Sequence, residues 1–233
     1  MTQEPEPRSR GGAIFDVVSI ALFLASWWVL FGALVTAAGP FRTGLCLLLL
    51  AVPALLAVEL AAGLFHWFAD TFFDPDTPWI GPAVIKSFRD HHAAPGDMAE
   101  RSAAEVSGQN CFACLPILAL AGTLDLATAP AQWLVALLLL STLGVALTNL
   151  FHQWAHAERV PRWVGALQRR GWILSPAHHA RHHCGAHDRV YCVTTGWLNP
   201  LLDHVGFFRA LERVVERLAP RARRELANNT RAH

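Results

Sequence analysis

This chain is short of charge. Asp, Glu, Lys and Arg make up 16% of its 233 residues, where soluble domains run at about 25%. So little charge cannot cover a water-facing surface, and a hydrophobic content of 53% points to lipid instead. The charged stretches between apolar ones are too short to fold alone, which leaves a single domain. Lysine is nearly absent: Lys86 is the only one, so the positive charge is guanidinium, which keeps its proton and pairs with phosphate in bidentate fashion. A net charge of +1 argues against nucleic acid as a partner. Five cysteines (Cys46, Cys111, Cys114, Cys184 and Cys192) form an odd set without framework spacing, which points to reduced thiols rather than disulfides. Cys111 and Cys114 spell CxxC inside an apolar run and read as helix packing ahead of zinc or redox chemistry. There is no GxGxxG for a nicotinamide or flavin domain and no evident haem module.

What the chain has in quantity is long apolar runs. Residues 1–12 are polar and contain Pro and Gly, as in a mobile N-terminal arm. Residues 13–38 carry Asp16 as their only charge, too long a run for a signal-peptide core of about 7 to 15 residues. Residues 43–65, interrupted only by Glu59, and the uncharged residues 131–151 predict two further spans. Residues 108–128 contain Pro116 and Asp125, so a full span and a re-entrant helix are both open. The full span is preferred, because hairpins near Pro40 and Pro130 then account for the whole pattern. Trp133 and Trp154 lie 21 residues apart, about 31 Å along a helix, as interfacial anchors do.

The expected fold is therefore all-α: a membrane-embedded bundle of about four spans over residues 13–212, followed by a basic tail at 213–233. Four spans put the arm, residues 66–110 and residues 152–233 on one side. Residues 157–233 hold thirteen Arg against six acids, which makes that side cytoplasmic. Every histidine then sits in a cytoplasmic cap, and the Asn228-Asn229-Thr230 sequon goes unused. The basic surface reads equally as solvated charge or as a docking face for lipid or a redox partner. Residues 203–218 place Val205, Phe208, Leu211, Val215 and Leu218 on one stripe, either an interfacial amphipathic helix or one packed on the protein. Heavy use of Ala and Arg points to a GC-rich bacterium and its inner membrane.

Ten of the twelve histidines fall in four short groups. His66 and Asp70 are i and i+4 on a helix leaving the membrane, with Glu59 two turns earlier on the same face. Asp90, His91 and His92 form the second group, in what reads as a loop. His152 and His156 repeat the i, i+4 spacing at the end of the last span, with Asn149 one turn back. His178, His179, His182, His183 and His187 are the densest group, with His179, His182 and His183 expected as one HxxHH patch. Gly185 is expected to end that helix, leaving His187 to reach the site from a loop or to support it from behind. So many imidazoles in one place without metal must stay neutral while crowded, a cost that coordination removes.

Imidazole and carboxylate suit both zinc and iron. Nine or ten ligands exceed the three or four of a zinc site and suffice for two ions with positions open to molecular oxygen. Two irons can abstract hydrogen from an unactivated C–H bond, whereas zinc has no redox chemistry and implies a membrane hydrolase. A haem carrier would need ligands inside the spans, and a metal transporter would need polar residues at mid-membrane, where Glu59 is the nearest. A centre at the membrane surface suits a phospholipid. Trp67, Phe68, Trp154 and Trp197 are candidates to line its channel, or else anchor the interface.

In order, the stretches His66-Trp67-Phe68-Ala69-Asp70-Thr71, Arg89-Asp90-His91-His92, Glu105 with Gly108 and Asn110, Thr148-Asn149-Leu150-Phe151-His152-Gln153-Trp154-Ala155-His156, and Ile173-Leu174 through Tyr191-Cys192-Val193-Thr194-Thr195-Gly196-Trp197-Leu198-Asn199 resemble the plasmanylethanolamine desaturase (Kua or CarF) family of lipid desaturases. The resemblance covers roughly residues 58–212. It implies two iron ions and oxygen-dependent insertion of a double bond next to the ether oxygen of an alkyl phospholipid, giving the vinyl ether of a plasmalogen. It carries ligand roles to His66, His91, His92, His152, His156, His178, His179, His182, His183 and His187, with Asp70 as the accompanying acid. Glu59, Asp90, Glu105, Asn110 and Asn149 are expected behind the ligands. Electrons must come from an external donor, of the cytochrome b5 or ferredoxin kind. Where the family usually has His-Asp after the second group, this chain has Arg101-Ser102, and arginine cannot ligate metal. The plant chloroplast branch, which desaturates an acyl chain of phosphatidylglycerol, is similar in lacking that histidine. The acyl-lipid alternative therefore stays open, while Thr194-Thr195-Gly196-Trp197-Leu198-Asn199 favours the ether-lipid branch.

Overall fold

The computed structural model describes residues 8–218. Most of the arm at 1–12 and of the tail at 213–233, including the sequon, lies outside the described residues. Among the described residues, four helices are long and apolar enough to cross a membrane: α1 (Arg10–Ala38), α2 (Pro40–Thr71), α5 (Ala103–Ala121) and α6 (Ala129–His156). Between the second and third of these, a π-helical turn (Gly81–Ile85) leads into α3 (Lys86–Ala93), followed by α4 (Asp97–Glu100). After α6 come the short helices α7 (Arg162–Arg169), α8 (Pro176–His183), α9 (Asn199–His204) and α10 (Phe207–Leu218).

The turns are written locally. Gly39 takes φ 78° and bonds back to the Val35 carbonyl, and Pro40 starts α2, where its missing N–H costs nothing. Thus α1 and α2 are separated by one residue. Ser102 caps α5 by accepting from the Glu105 amide at 3.2 Å, in the Ser-x-x-Glu arrangement of a capping box. This cap moves the helix toward the N-terminus: where residues 108–128 were expected to span, the helix runs Ala103–Ala121. Asp125 is then outside it, in a turn where its carboxylate accepts from the Ala127 amide at 3.0 Å.

α1 packs on α5 and α6, and α2 on α6. Glycines set the approach distances: a Cβ on Gly108 would meet the Asp16 backbone at 2.6 Å, and one on Gly144 would meet Val58 at 2.9 Å. Small residues do this work in lipid, where helix association gains little from the hydrophobic effect. Asp16, the charge in α1, is buried and bonded to the Arg8 guanidinium at 2.9 and 3.1 Å. Leu30, Leu34, Cys46, Cys111, Cys114, Leu118 and Leu139 fill the centre of the bundle. Ile14, Val29, Phe41 and Leu48 face outward, Phe41 at 85% exposure, as the outer surface of a bilayer-embedded bundle does. The chain is a multi-pass membrane protein.

At 32 residues, α2 is about 48 Å long, and α6, at 28, about 42 Å. Both exceed a hydrocarbon core of about 30 Å. Their protruding ends support a cap built from α3, α8 and the segment 189–199. Of the amphipathic stripe, Phe208 is buried against Trp67 and Tyr191, with Leu211 and Val215 packed beside it. Val205 and Leu218 at its ends are exposed. The stripe is also broken at Gly206 (φ 63°), so α10 starts at Phe207.

Candidate metal centre

The ends of α2 and α6 bring their side chains to α3 and α8, and the ligand atoms sort into two principal groups. His91, His152, His156, His179 and His183 place one nitrogen each within 4.8 Å of one another. His66, Asp70, His92 and His182 do the same within a second group. α6 supplies only the first and α2 only the second, while α3 and α8 serve both. His92 and His183 also converge with His187, which reaches in from the loop after Gly185 with φ 53°. The groups adjoin: ring centroids lie 5.8 Å apart for His91 and His92 and 5.4 Å apart for His182 and His183.

Two sequence expectations change here. His91 and His92 stand on a helix, α3, and not in a loop, which is why consecutive rings diverge into different groups. The HxxHH box is likewise divided: His179 and His183 join one group and His182 the other. The helix presents one surface, but the ligand atoms that meet it from α2 and α6 fall into two groups.

Hydrogen bonds to backbone carbonyls orient two rings of the second group. His66 Nδ1 lies 3.1 Å from the Tyr191 carbonyl and His182 Nδ1 lies 2.7 Å from the Arg189 carbonyl. A carbonyl only accepts, so each Nδ1 carries a hydrogen, and in the neutral form that binds metal each Nε2 is then a bare lone pair. Both Nε2 atoms lie 3.3 Å from Asp70 Oδ2, and all three atoms are buried without a hydrogen-bond partner among the described residues. Three acceptors facing one another is an arrangement that a cation satisfies. In the first group, His179 Nε2 lies 2.7 Å from His152 Nε2 and 3.0 Å from His183 Nε2, and His156 Nε2 lies 3.3 Å from His152 Nε2. One proton can satisfy one such pair, not all three. Burial, followed by the neighbouring imidazoles, pushes His91 down to about 2 and His183 to about 3, and holds His179 well below its ordinary value. These are neutral rings, the form that binds metal.

The remaining expected residues lie outside these groups. His178 does not join the other histidines: its Nε2 lies 3.0 Å from Asn199 Nδ2, against Gly196. Glu59 is fully buried and holds the segment after Val193, its Oε1 accepting from the Thr195 hydroxyl and from the Thr195 and Gly196 amides. Asp90 is exposed and turns away to Lys86. Glu105 faces Arg101 at 3.8 Å. Asn110 donates to the Val145 carbonyl at 2.8 Å and accepts from Asn149 at 3.2 Å, tying α5 to α6. Trp67 and Phe68 pack with Phe72, and Trp154 packs on Trp163. Trp197 donates its indole N–H to the Gly171 carbonyl. Cys114 lies buried against the Thr142 carbonyl, as packing requires.

Sequence reasoning assigned no role to the segment that aims the ligands. Arg189 and Tyr191 offer the two carbonyls named above. The segment is held by Asp203, which accepts from the Val190 amide at 3.3 Å, and by Asn199, which bonds both the amide and the carbonyl of Cys192 at 2.9 Å. Backbone acceptors leave no trace in residue type. Gln153 also went unassigned; it donates to the Met98 and Arg101 carbonyls and fixes the loop before α5.

Membrane-length helices that end in a buried, histidine-lined centre define a membrane protein equipped to hold metal. The chain belongs to the lipid desaturase family, whose domain model matches residues 55–225, and is an oxidoreductase of that kind. It is 32% identical over 216 residues to the plasmanylethanolamine desaturase of Myxococcus xanthus, covering 92% of this chain and 75% of that protein. Plasmanylethanolamine desaturase 1 of Mus musculus is 35% identical over 181 residues, covering 73% of this chain and 66% of the mouse protein. The chloroplastic fatty acid desaturase 4 of Arabidopsis thaliana is 30% identical over 184 residues, 76% of this chain and 54% of the plant protein. No solved structure gives a significant match.

Proposed function

We propose that this lipid desaturase holds two irons and forms the vinyl-ether double bond of a plasmalogen from an alkyl ether phospholipid. The observation that carries the reading is the pair of adjoining ligand groups, one of five imidazoles and one of three imidazoles with a carboxylate. In the second group the His66 and His182 Nε2 atoms both face Asp70 Oδ2, an arrangement that a cation satisfies. Nine ligands exceed what one tetrahedral zinc takes, which weighs against a hydrolase. When bound, such a metal pair supplies oxygen activation and removal of hydrogen from an unactivated carbon.

The chain's own residues do the rest. Asp70 brings negative charge to the group that it shares with His66, His92 and His182, and the Tyr191 and Arg189 carbonyls keep two of those rings aimed. Burial of His66, Asp70, His152, His179 and His182 keeps water from the ligands. Arg101 and Ser102, which stand where the resembling family has His-Asp, serve structure: the Arg101 carbonyl accepts from Gln153 and Ser102 caps α5. The arginine excess supports a cap on the cytoplasmic side, in a bacterial inner membrane on our reading, with electrons delivered by an external protein donor. The ether-lipid reading is supported by identities of 32 and 35% to the two plasmanylethanolamine desaturases, against 30% to the chloroplast relative.

The test is expression in plasmalogen-deficient cells with lipid mass spectrometry. Acid-labile vinyl ethers, with about two irons per chain, one for each ligand group, are the expected outcome. Desaturated acyl chains instead would move the chain to the acyl-lipid branch, and stoichiometric zinc without product would end the desaturase mechanism.

A further inference from the structure

Beside the N-terminal end of α8 lies a cavity of about 370 Å³, lined by Arg170, Ile173, Ser175, His178, Gly196 and Trp197 among others, with no acidic residue in its wall. Its donors can be assigned from the hydrogen bonds around it. Asn199 Oδ1 accepts from the Cys192 amide and its Nδ2 donates to the Cys192 carbonyl, which fixes the orientation of that side-chain amide. The Nδ2 that reaches His178 Nε2 at 3.0 Å is therefore a donor, and Nε2 accepts. The proton of the neutral His178 ring must then sit on Nδ1, which has no hydrogen-bond partner among the described residues. Ser175 Oγ accepts from the His178 amide at 3.3 Å, so its hydroxyl hydrogen is free to donate. Arg170 is exposed and forms no ion pair among the described residues. The Trp197 indole N–H is already committed to Gly171, leaving its ring as an apolar wall beside Ile173.

We infer that this cavity binds the phosphodiester of the substrate's head group, through the Arg170 guanidinium, the His178 Nδ1–H and the Ser175 hydroxyl, with Trp197 against the glycerol. Converging N–H and O–H donors with one guanidinium and no carboxylate form an anion site, and a guanidinium matches phosphate oxygens in bidentate geometry. The placement fits the proposed reaction, on which this inference rests. His178 stands four residues before the candidate ligand His182 on α8, a rise of about 6 Å. In an alkyl ether phospholipid, six bonds join the ether-linked carbon to phosphorus. A phosphate held at His178 thus leaves that carbon within reach of the centre.

The experiment is calorimetric titration of the purified, iron-loaded protein in detergent with dihexanoyl phosphatidylethanolamine, with inorganic phosphate and with a phosphate-free alkylglycerol. Arg170→Ala and His178→Ala should each bind the short-chain phospholipid about tenfold more weakly, with unchanged iron content and unchanged alkylglycerol binding. Arg170→Lys should recover part of the loss. Equal phospholipid binding by the wild type and both alanine variants overturns the site. Inorganic phosphate binding as tightly as the lipid makes it a free-anion site and overturns the head-group assignment. Iron loss in His178→Ala moves that residue into the metal centre and overturns it as well. Binding is read without turnover, so absence of a vinyl-ether product with the binding pattern intact would sink the proposed reaction and leave this site standing.

Discussion

His182 Nε2 and Asp70 Oδ2 face each other at 3.3 Å inside the cap, and with the ring neutral, as metal binding requires, neither has a hydrogen to give. The His182 hydrogen is held at Nδ1 by the Arg189 carbonyl. An acceptor turned toward a carboxylate in a buried site costs free energy unless a positive ion lies between them. The chain maintains this arrangement through a helix end on one side and a backbone segment on the other.

Asp70→Asn tests the arrangement directly. The amide removes the charge, and the metal bound by His66, His92 and His182 should be lost first. Iron content, measured by plasma mass spectrometry, should fall toward half, with activity reduced beyond the roughly 10–100-fold typical of outer partners. Wild-type iron content in this variant would show that Asp70 is not a ligand.

Asn199→Ala should act through geometry. It frees both bonds to Cys192 and loosens the segment that aims His66 and His182. Iron affinity should drop about 10–100-fold, while the helix content by circular dichroism stays the same. Unchanged affinity would mean that the carbonyls hold position without it.

The metal-free protein should lose stability as pH falls. His91 and His183 are held neutral, at about 2 and about 3, whereas unfolded histidine titrates at about 6.5. Below that value the unfolded chain binds more protons, so stability is complete above about 6.5 and declines as pH falls toward the folded values. Unfolding midpoints of chelator-treated protein from pH 8 to 5 should be level at first and then fall. A flat profile to pH 5 would contradict the neutral rings.

Gly108→Val should weaken the bundle without touching the cap. The new Cβ meets the Asp16 backbone, and overpacking of this kind costs about 1–3 kcal/mol. A lower thermal midpoint with full iron content is expected. An unchanged midpoint would mean that α1 and α5 can part freely.

The sequence alone determined that the chain forms long apolar helices, that histidines gather beyond their ends, and which residue types are there to bind metal. Those features are local: runs of apolar residues, i and i+4 spacing, and the glycine and proline that make the α1–α2 turn. It misplaced α5 by several residues because Asp125 was counted inside an apolar run, while the Ser102 cap that starts the helix was not weighed. It also counted His178 with its neighbours, since spacing along one short helix cannot say what lies beneath each face.

Only the tertiary structure decided how the ligands divide. His182 parts from His179 and His183 because α2 delivers Asp70 to one side of α8 and α6 delivers His152 to the other. That partition depends on where two helices end and on carbonyls from a segment more than a hundred residues from His66 in sequence. Neither is written in the identity of the residues that bind.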